Sequence, residues 1–319
     1  MGIKSLGNKY GIKYAAVWDK TGKGAGFPHV EPTSGWYGDR GVFAGGHQGG
    51  VGDTSSIDYI NITSTGNSSS FGALTSARGY TGSVSNSTRG VWAGAYTSNT
   101  IDYVTIATTG NATDFGDTVG DTRSSPGGSN DVRGIFMGKN GSNMIQYITI
   151  ATTGNATDFG DLSAGEGRGS VCVNYARACC AGGTGRNDVI DYVTIMTTGN
   201  ATAFGDLSTN KFIGSAGVNN SAGRGCVGGG YMGGSQNLID YFTIDTTGNA
   251  SDFGDLTVGR EYLASMSNAT RGVWAAGSTG DGSSNSSTID YITIATTGNA
   301  SSFGSASPAR FFVSGCSGD

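Results

Sequence analysis

The segment I150-A-T-T-G-N-A-T-D-F-G-D-L162 recurs almost letter for letter as I244-D-T-T-G-N-A-S-D-F-G-D-L256. Just before each stands a shorter element, I145-Q-Y147 and I239-D-Y241, and Ile57, Ile101, Ile190 and Ile289 open four more copies of it. The six starts are 44, 44, 45, 49 and 50 residues apart. Periods in this range belong to propellers and solenoids, whose units bury apolar faces against one another.

Each copy reads as four short strands. In the last unit, E261-Y-L-A-S-M-S-N268 is one strand, and the turn Ala269–Thr270 leads into R271-G-V-W-A-A-G277. A variable loop follows, then I289-D-Y-I-T-I-A295, and a G-N-A turn leads to S301-S-F-G304. Apolar residues occupy both faces of I-D-Y-I-T-I, as in a sheet covered on both sides. The first copy begins at R40-G-V-F-A-G-G46 with no apolar strand before it, and P308-A-R-F-F-V-S-G-C-S-G318 is that missing strand. The expectation is an all-β, six-bladed propeller over residues 39–319, closed by its C-terminal strand, with an extended arm at residues 1–38.

Composition agrees with that architecture. Glycine and proline, 58 and 4 of 319 residues, make up about a fifth of the chain, below the range of low-complexity disorder. Glycine at this level disfavours long helices and favours tight turns. No apolar run can span a bilayer, and M1-G-I-K-S-L-G-N-K9 lacks the core of a secretory signal. Five cysteines without C-x-x-C spacing indicate neither a disulfide framework nor a zinc site. Residues 1–35 carry a net +3, which leaves −8 for the rest of a chain at −5.

The unit resembles the kelch repeat over about residues 40–319. Arg260, the strand at 261–268, Val273-Trp274, the Tyr291 strand, Phe303 and Arg310 follow that family's order of Arg, apolar strand, aliphatic–aromatic strand, Tyr strand and aromatic strand. Phe stands where the family has Trp on its fourth strand, and the glycine doublet is broken at Ala93-Gly94, Met137-Gly138 and Ala276-Gly277. Lys211 lies near where an Arg is expected.

Catalytic residue types are sparse. The only histidines, His29 and His47, lie in the arm and in a glycine-rich loop. G228-G-G-Y-M-G233 matches G-x-G-x-x-G, yet no helix pattern follows it, so no dinucleotide, metal or other cofactor is expected. The repeated Asp58, Asp102, Asp191, Asp240 and Asp290, with Gln146 at the sixth place, are expected to hydrogen-bond within the blade, away from the channel. Asp114/Asp117, Asp158/Asp161 and Asp252/Asp255 should decorate a solvated outer edge. Cys172, Met266 and Cys316 hold the position of Val84 and read as interchangeable apolar fillers, while Cys179 and Cys180 replace an aromatic pair. N-A-T/S at Asn111, Asn155, Asn200, Asn249 and Asn299 is read as turn chemistry, with Gly-Asn supplying positive φ.

Antiparallel strands place T-T-G-N-A and S-N-x-T-R on one face. The other face carries the loops 47–56, 95–100, 139–144, 184–189, 231–238 and 278–288, which share little sequence. Loops that vary on a constant scaffold are where recognition resides. His47, Tyr96, Tyr231, Met232 and Asn237 are the candidate contacts there. In the arm, Lys9, Tyr10, Lys13, Tyr14 and Trp18 are candidate anchors to an acidic partner surface, docking on the propeller itself being the alternative.

The phrase T-T-G-N-A-T-D-F-G-D-L is similar to repeats in structural proteins of tailed phages, particularly those of marine bacteria. The resemblance implies a non-enzymatic virion component, assembled in the host cytoplasm in multiple copies. Its arm would hold other tail, baseplate or capsid proteins and its variable face a host glycan or receptor. A capsid decoration without receptor binding and a glycan-active enzyme are the alternatives. Neither nucleic acid, for which a body of net −8 is unsuited, nor a membrane is an expected partner.

Overall fold

A computed structural model describes residues 38–210, 216–220, 222–280 and 282–318. The arm residues Lys9, Tyr10, Lys13, Tyr14 and Trp18, and Lys211, lie outside the described residues. Those described contain no helix, hence none able to cross a membrane.

The described chain forms a six-bladed β-propeller. Blade 1 runs from the axis outward as Ser314–Gly318, Arg40–Ala44, Ser56–Asn61 and Ser69–Ala73, so the last strand of the chain pairs antiparallel with the first. Cys316 faces Val42 in that register. Blade 2 is Gly82–Ser85, Arg89–Ala95, Ser98–Thr105 and Thr113–Asp117. Blade 4 (Ser170–Val173, Arg177–Ala181, Val189–Thr194, Thr202–Asp206) and blade 5 (Ala216–Asn219, Arg224–Gly228, Leu238–Thr243, Ser251–Asp255) repeat the order. So does blade 6, with Ala264–Ser267, Arg271–Ala275, Thr288–Thr293 and Ser301–Ser305.

Blade 3 departs from the expected loop at 139–144. Arg133–Thr149 is continuous strand that pairs with Gly127–Ser129 through its first part and with Thr157–Glu166 through its last. Lys139 and Ser142 both oppose Glu166, with register shifts between them, so the hairpin end is absorbed into the sheet. The innermost strand of blade 6 is also shorter than its apolar pattern. It begins at Ala264 because Tyr262 sits in the left-handed region at φ 57°.

The core is divided into six clusters, one at each blade interface. Ile289 of blade 6 packs with Phe43 of blade 1, whereas Ile292 and Ile294 pack with Val218 and Ile239 of blade 5. This is why the I-D-Y-I-T-I strand is apolar on both sides. Cys172, Val218, Met266 and Cys316 occupy the place of Val84, each opposite the central residue of the second strand. All five cysteines are buried and none is in a disulfide. Burial pushes the Cys179 thiol well up and the Cys316 thiol up to about 12, which keeps them neutral fillers.

Candidate functional site

One face of the ring is occupied by contacts that every blade repeats. In each T-T-G-N-A turn, the glycine N–H bonds the Phe carbonyl on the preceding blade's outer strand, as Gly110 does to Phe71 at 2.9 Å and Gly66 to Phe303 at 2.9 Å. The following Asn accepts a backbone N–H from the same strand: Asn111 from Ala73, Asn155 from Asp117, Asn200 from Asp161, Asn249 from Asp206, Asn299 from Asp255 and Asn67 from Ser305, all at 3.0–3.1 Å. The positive φ expected of the Gly-Asn pair belongs to the glycine, at 153–157° in Gly154, Gly199, Gly248 and Gly298, while the asparagine, which is not in that region, is a staple between blades. The Phe-Gly glycine follows from the same crossing. A Cβ on Gly72 would lie 2.1 Å from the Gly110 carbonyl oxygen, and one on Gly304 2.1 Å from that of Gly66. The outer edge is therefore partly paired, with Asp114, Asp158 and Asp252 exposed beside it.

Arginines complete this face. Arg40, Arg89, Arg133, Arg177, Arg224 and Arg271 each lie over the Tyr of their own third strand, 4.1–4.7 Å from the ring centre. Each also donates to a carbonyl that ends the third strand of the next blade, as Arg271 does to Ile62 at 3.1 Å.

The repeated aspartates are buried, as their strand position predicts, but their partners lie on the crossovers between blades. Arg310 meets Asp58 at 2.6 Å, Arg78 meets Asp102 at 2.8 Å, and Arg260 pairs with Asp290. Thr75 and Thr257, on crossovers, donate hydroxyls to Asp102 and Asp290. Burial lowers the Arg78, Arg260 and Arg310 pKa values, against the opposing pull of the carboxylates. Where Glu166 takes the crossover position, Arg186 reaches Asp191 from another loop at 3.1 Å.

The other face surrounds the axial channel. Its inner walls are short residues whose hydroxyls serve neighbouring blades: Ser83 donates to Gly315, Ser85 to Ser317 and Ser129 to Ser85, at 2.7–2.8 Å. At the mouth, Tyr80, Ser124, Arg168, Tyr262 and Phe312 occupy equivalent positions in five blades, all with φ between 57° and 67°. The backbone reason is a chain of bonds around the axis, from Tyr80 N to Phe312 O, Ser124 N to Tyr80 O and Arg168 N to Ser124 O, at 2.9–3.1 Å. Glycine adopts this conformation most readily, so five non-glycine residues in it are a departure from the cheapest solution.

Their side chains form a collar. Tyr80 stacks on Phe312 at 3.5 Å, and Tyr262 meets Phe312 at 4.2 Å. Arg168 donates to the Tyr262 hydroxyl at 3.1 Å and lies 5.7 Å from the Tyr80 ring centre. Arg123 lies over Tyr80 at 4.9 Å and over Tyr96 at 4.0 Å. Burial raises both phenols, Tyr262 to about 12, with Arg168 acting against the shift. Below the collar is a cavity of about 110 Å³, and Arg168 is its one charged described wall residue.

The structure brings together only part of the predicted contact set. Tyr96 is 56% exposed and joins the collar through Arg123, and His47 bonds Asp53 at 2.8 Å and packs on Phe311 at 5.3 Å. Tyr231, Met232 and Asn237 lie on the blade 5 loop, where Tyr231 bridges Ser235 and Met232 is 42% exposed. The sequence reading missed Tyr80, Tyr262, Phe312, Arg123 and Arg168. Their signal is alignment of the crossovers: two residues after Arg78, Arg260 and Arg310 stand Tyr, Tyr and Phe, in an otherwise constant unit.

Among the described residues no three His, Cys, Asp or Glu side chains are placed to hold a metal ion. No protein-family model matches the chain, and no curated protein matches it.

Proposed function

We propose that this chain is a non-enzymatic recognition propeller carried on a phage particle, its variable face turned outward. The observation that supports this reading is the inequality of the two faces. On one, the repeated turns, asparagines and arginines are engaged in joining blades; on the other, non-repeating exposed side chains surround an open mouth. The likeness to kelch-type repeats of phage structural proteins supplies the setting. In it, residues 1–35, through Lys9, Tyr10, Lys13, Tyr14 and Trp18, anchor several copies to other virion proteins.

Two manipulations of virus particles test the reading. Removing residues 1–35 should abolish incorporation of the chain, and full occupancy without them would refute the anchor. Replacing Tyr96 and Met232 with serine should leave incorporation intact and reduce adsorption to host cells severalfold. Unchanged adsorption would favour a decoration role instead.

A further inference from the structure

The collar at the channel mouth carries two positive charges that no carboxylate pairs with among the described residues. Of the twelve arginines in the chain, ten join strands, blades or aspartates through the contacts described above. Arg123 and Arg168 are the two that remain. Neither takes part in an ion pair among the described residues, and each leaves its Nε donor buried and without a partner. The Ser124 hydroxyl beside them is likewise buried and unpartnered. Two guanidinium groups outside any ion pair among the described residues, in a body of net −8, suit an anion.

The shape of the site narrows the anion. Arg168 spends Nη1 on the Tyr262 hydroxyl and its Nε is buried, which leaves Nη2 to make a charge-assisted bond to a carboxylate. Around that guanidinium stand the rings of Tyr80, Tyr262 and Phe312, over a cavity of about 110 Å³. That space exceeds what a single water needs and admits one ring entering from the end. A pyranose offers C–H faces for aromatic rings, hydroxyls for Ser124 and, when oxidised at C6, a carboxylate for Arg168.

We propose that the collar is a binding site for a terminal uronic-acid-type sugar, with Arg168 holding the carboxylate and Arg123 adding charge. The proposal rests on the reading of this face as the recognition surface. The left-handed backbone then has a use beyond ring closure, because it sets five different side chains around one cavity.

Calorimetric titration of the full-length protein tests it, with glucuronate, galacturonate, their methyl esters, glucose, sulfate and a short Asp/Glu peptide as probes. A uronate should bind, and its methyl ester and glucose should bind at least about tenfold more weakly, the loss of one charge-assisted pair. R168Q should weaken uronate binding by a similar factor with an unchanged melting curve, and R168K should fall between the two. If R168Q unfolds the protein, R123Q and the methyl esters carry the same comparison. Equal binding of glucose, tighter binding of sulfate or the peptide, or no uronate binding at millimolar concentration would each overturn the proposal. Loss of adsorption in the Tyr96 and Met232 variants alongside any of those results would leave the recognition reading standing and remove only the sugar.

Discussion

Gln146 breaks a series of five aspartates for a reason found at residue 122. Where Asp58, Asp102 and Asp290 stand, the matching crossover residue is Arg310, Arg78 or Arg260; opposite Gln146 it is Thr122. Gln146 keeps the acceptor role, taking the Val119 N–H at 2.8 Å as Asp102 takes that of Thr75, and drops the charge that no arginine would meet. Because Gln146 is 1% exposed, Gln146→Asp should destabilise the fold by about 3 kcal/mol, the scale of an uncompensated buried charge. Adding Thr122→Arg should recover a large part of it in a denaturant double-mutant cycle, and additive losses would show that the pairing is not what chose glutamine. A second residue-scale expectation concerns Tyr262, whose phenol is raised to about 12 by burial. An unfolded tyrosine ionises near 10, so the fold favours the neutral phenol, and this contribution is lost as pH climbs from about 10 through about 12. Absorbance titration should show a late tyrosine phase that Tyr262→Phe removes.

At the scale of the element, the T-T-G-N-A-x-D-F-G unit does its work across a boundary that its own sequence does not mention. Its Asn and Gly bind the blade before it, and its Phe-Gly receives the turn of the blade after it. Asn299→Ala should therefore lower stability by about 1 kcal/mol, one hydrogen bond, as measured by urea unfolding. Gly254→Ala should cost more, since its Cβ would lie 2.6 Å from the Gly298 carbonyl group and its φ is 143°. If Gly254→Ala proves neutral, steric crossing is not what keeps that glycine. The unit's recurrence was legible because periodicity is a local signal. The staple was hidden because glycine followed by asparagine is also ordinary turn chemistry, and only the register of neighbouring blades separates the two. The collar was hidden for a related reason: Tyr80, Ser124, Arg168, Tyr262 and Phe312 share a backbone conformation and not a residue type, so only alignment of the crossovers marks them.

At the scale of the whole molecule, nothing in the ring is central, since each cluster of the core joins only two blades. Such a ring depends on every blade, and blade 1 is closed by the two ends of the described chain. Ser314–Gly318 pairs with Arg40–Ala44, the Ser317 hydroxyl donates to Ser267 at 2.5 Å, and Ser83 and Ser85 of blade 2 donate to Gly315 and Ser317. The terminal strand thus ties together blades 6, 1 and 2, where a chain terminus ordinarily frays. Deleting residues 308–319 removes this strand together with Arg310, the partner of Asp58, and should lower stability by on the order of 5 kcal/mol. It should also expose the Arg40–Ala44 edge to pairing with other chains. The loss could come from an opened ring or from an altered blade, and adding the 308–319 peptide in trans separates the two. If the ring opens and the rest keeps its shape, the peptide should restore the melting transition and suppress aggregation at stoichiometric amounts. A truncated protein with an unchanged transition, or one that the peptide cannot rescue, would mean that closure is not what the terminal strand provides.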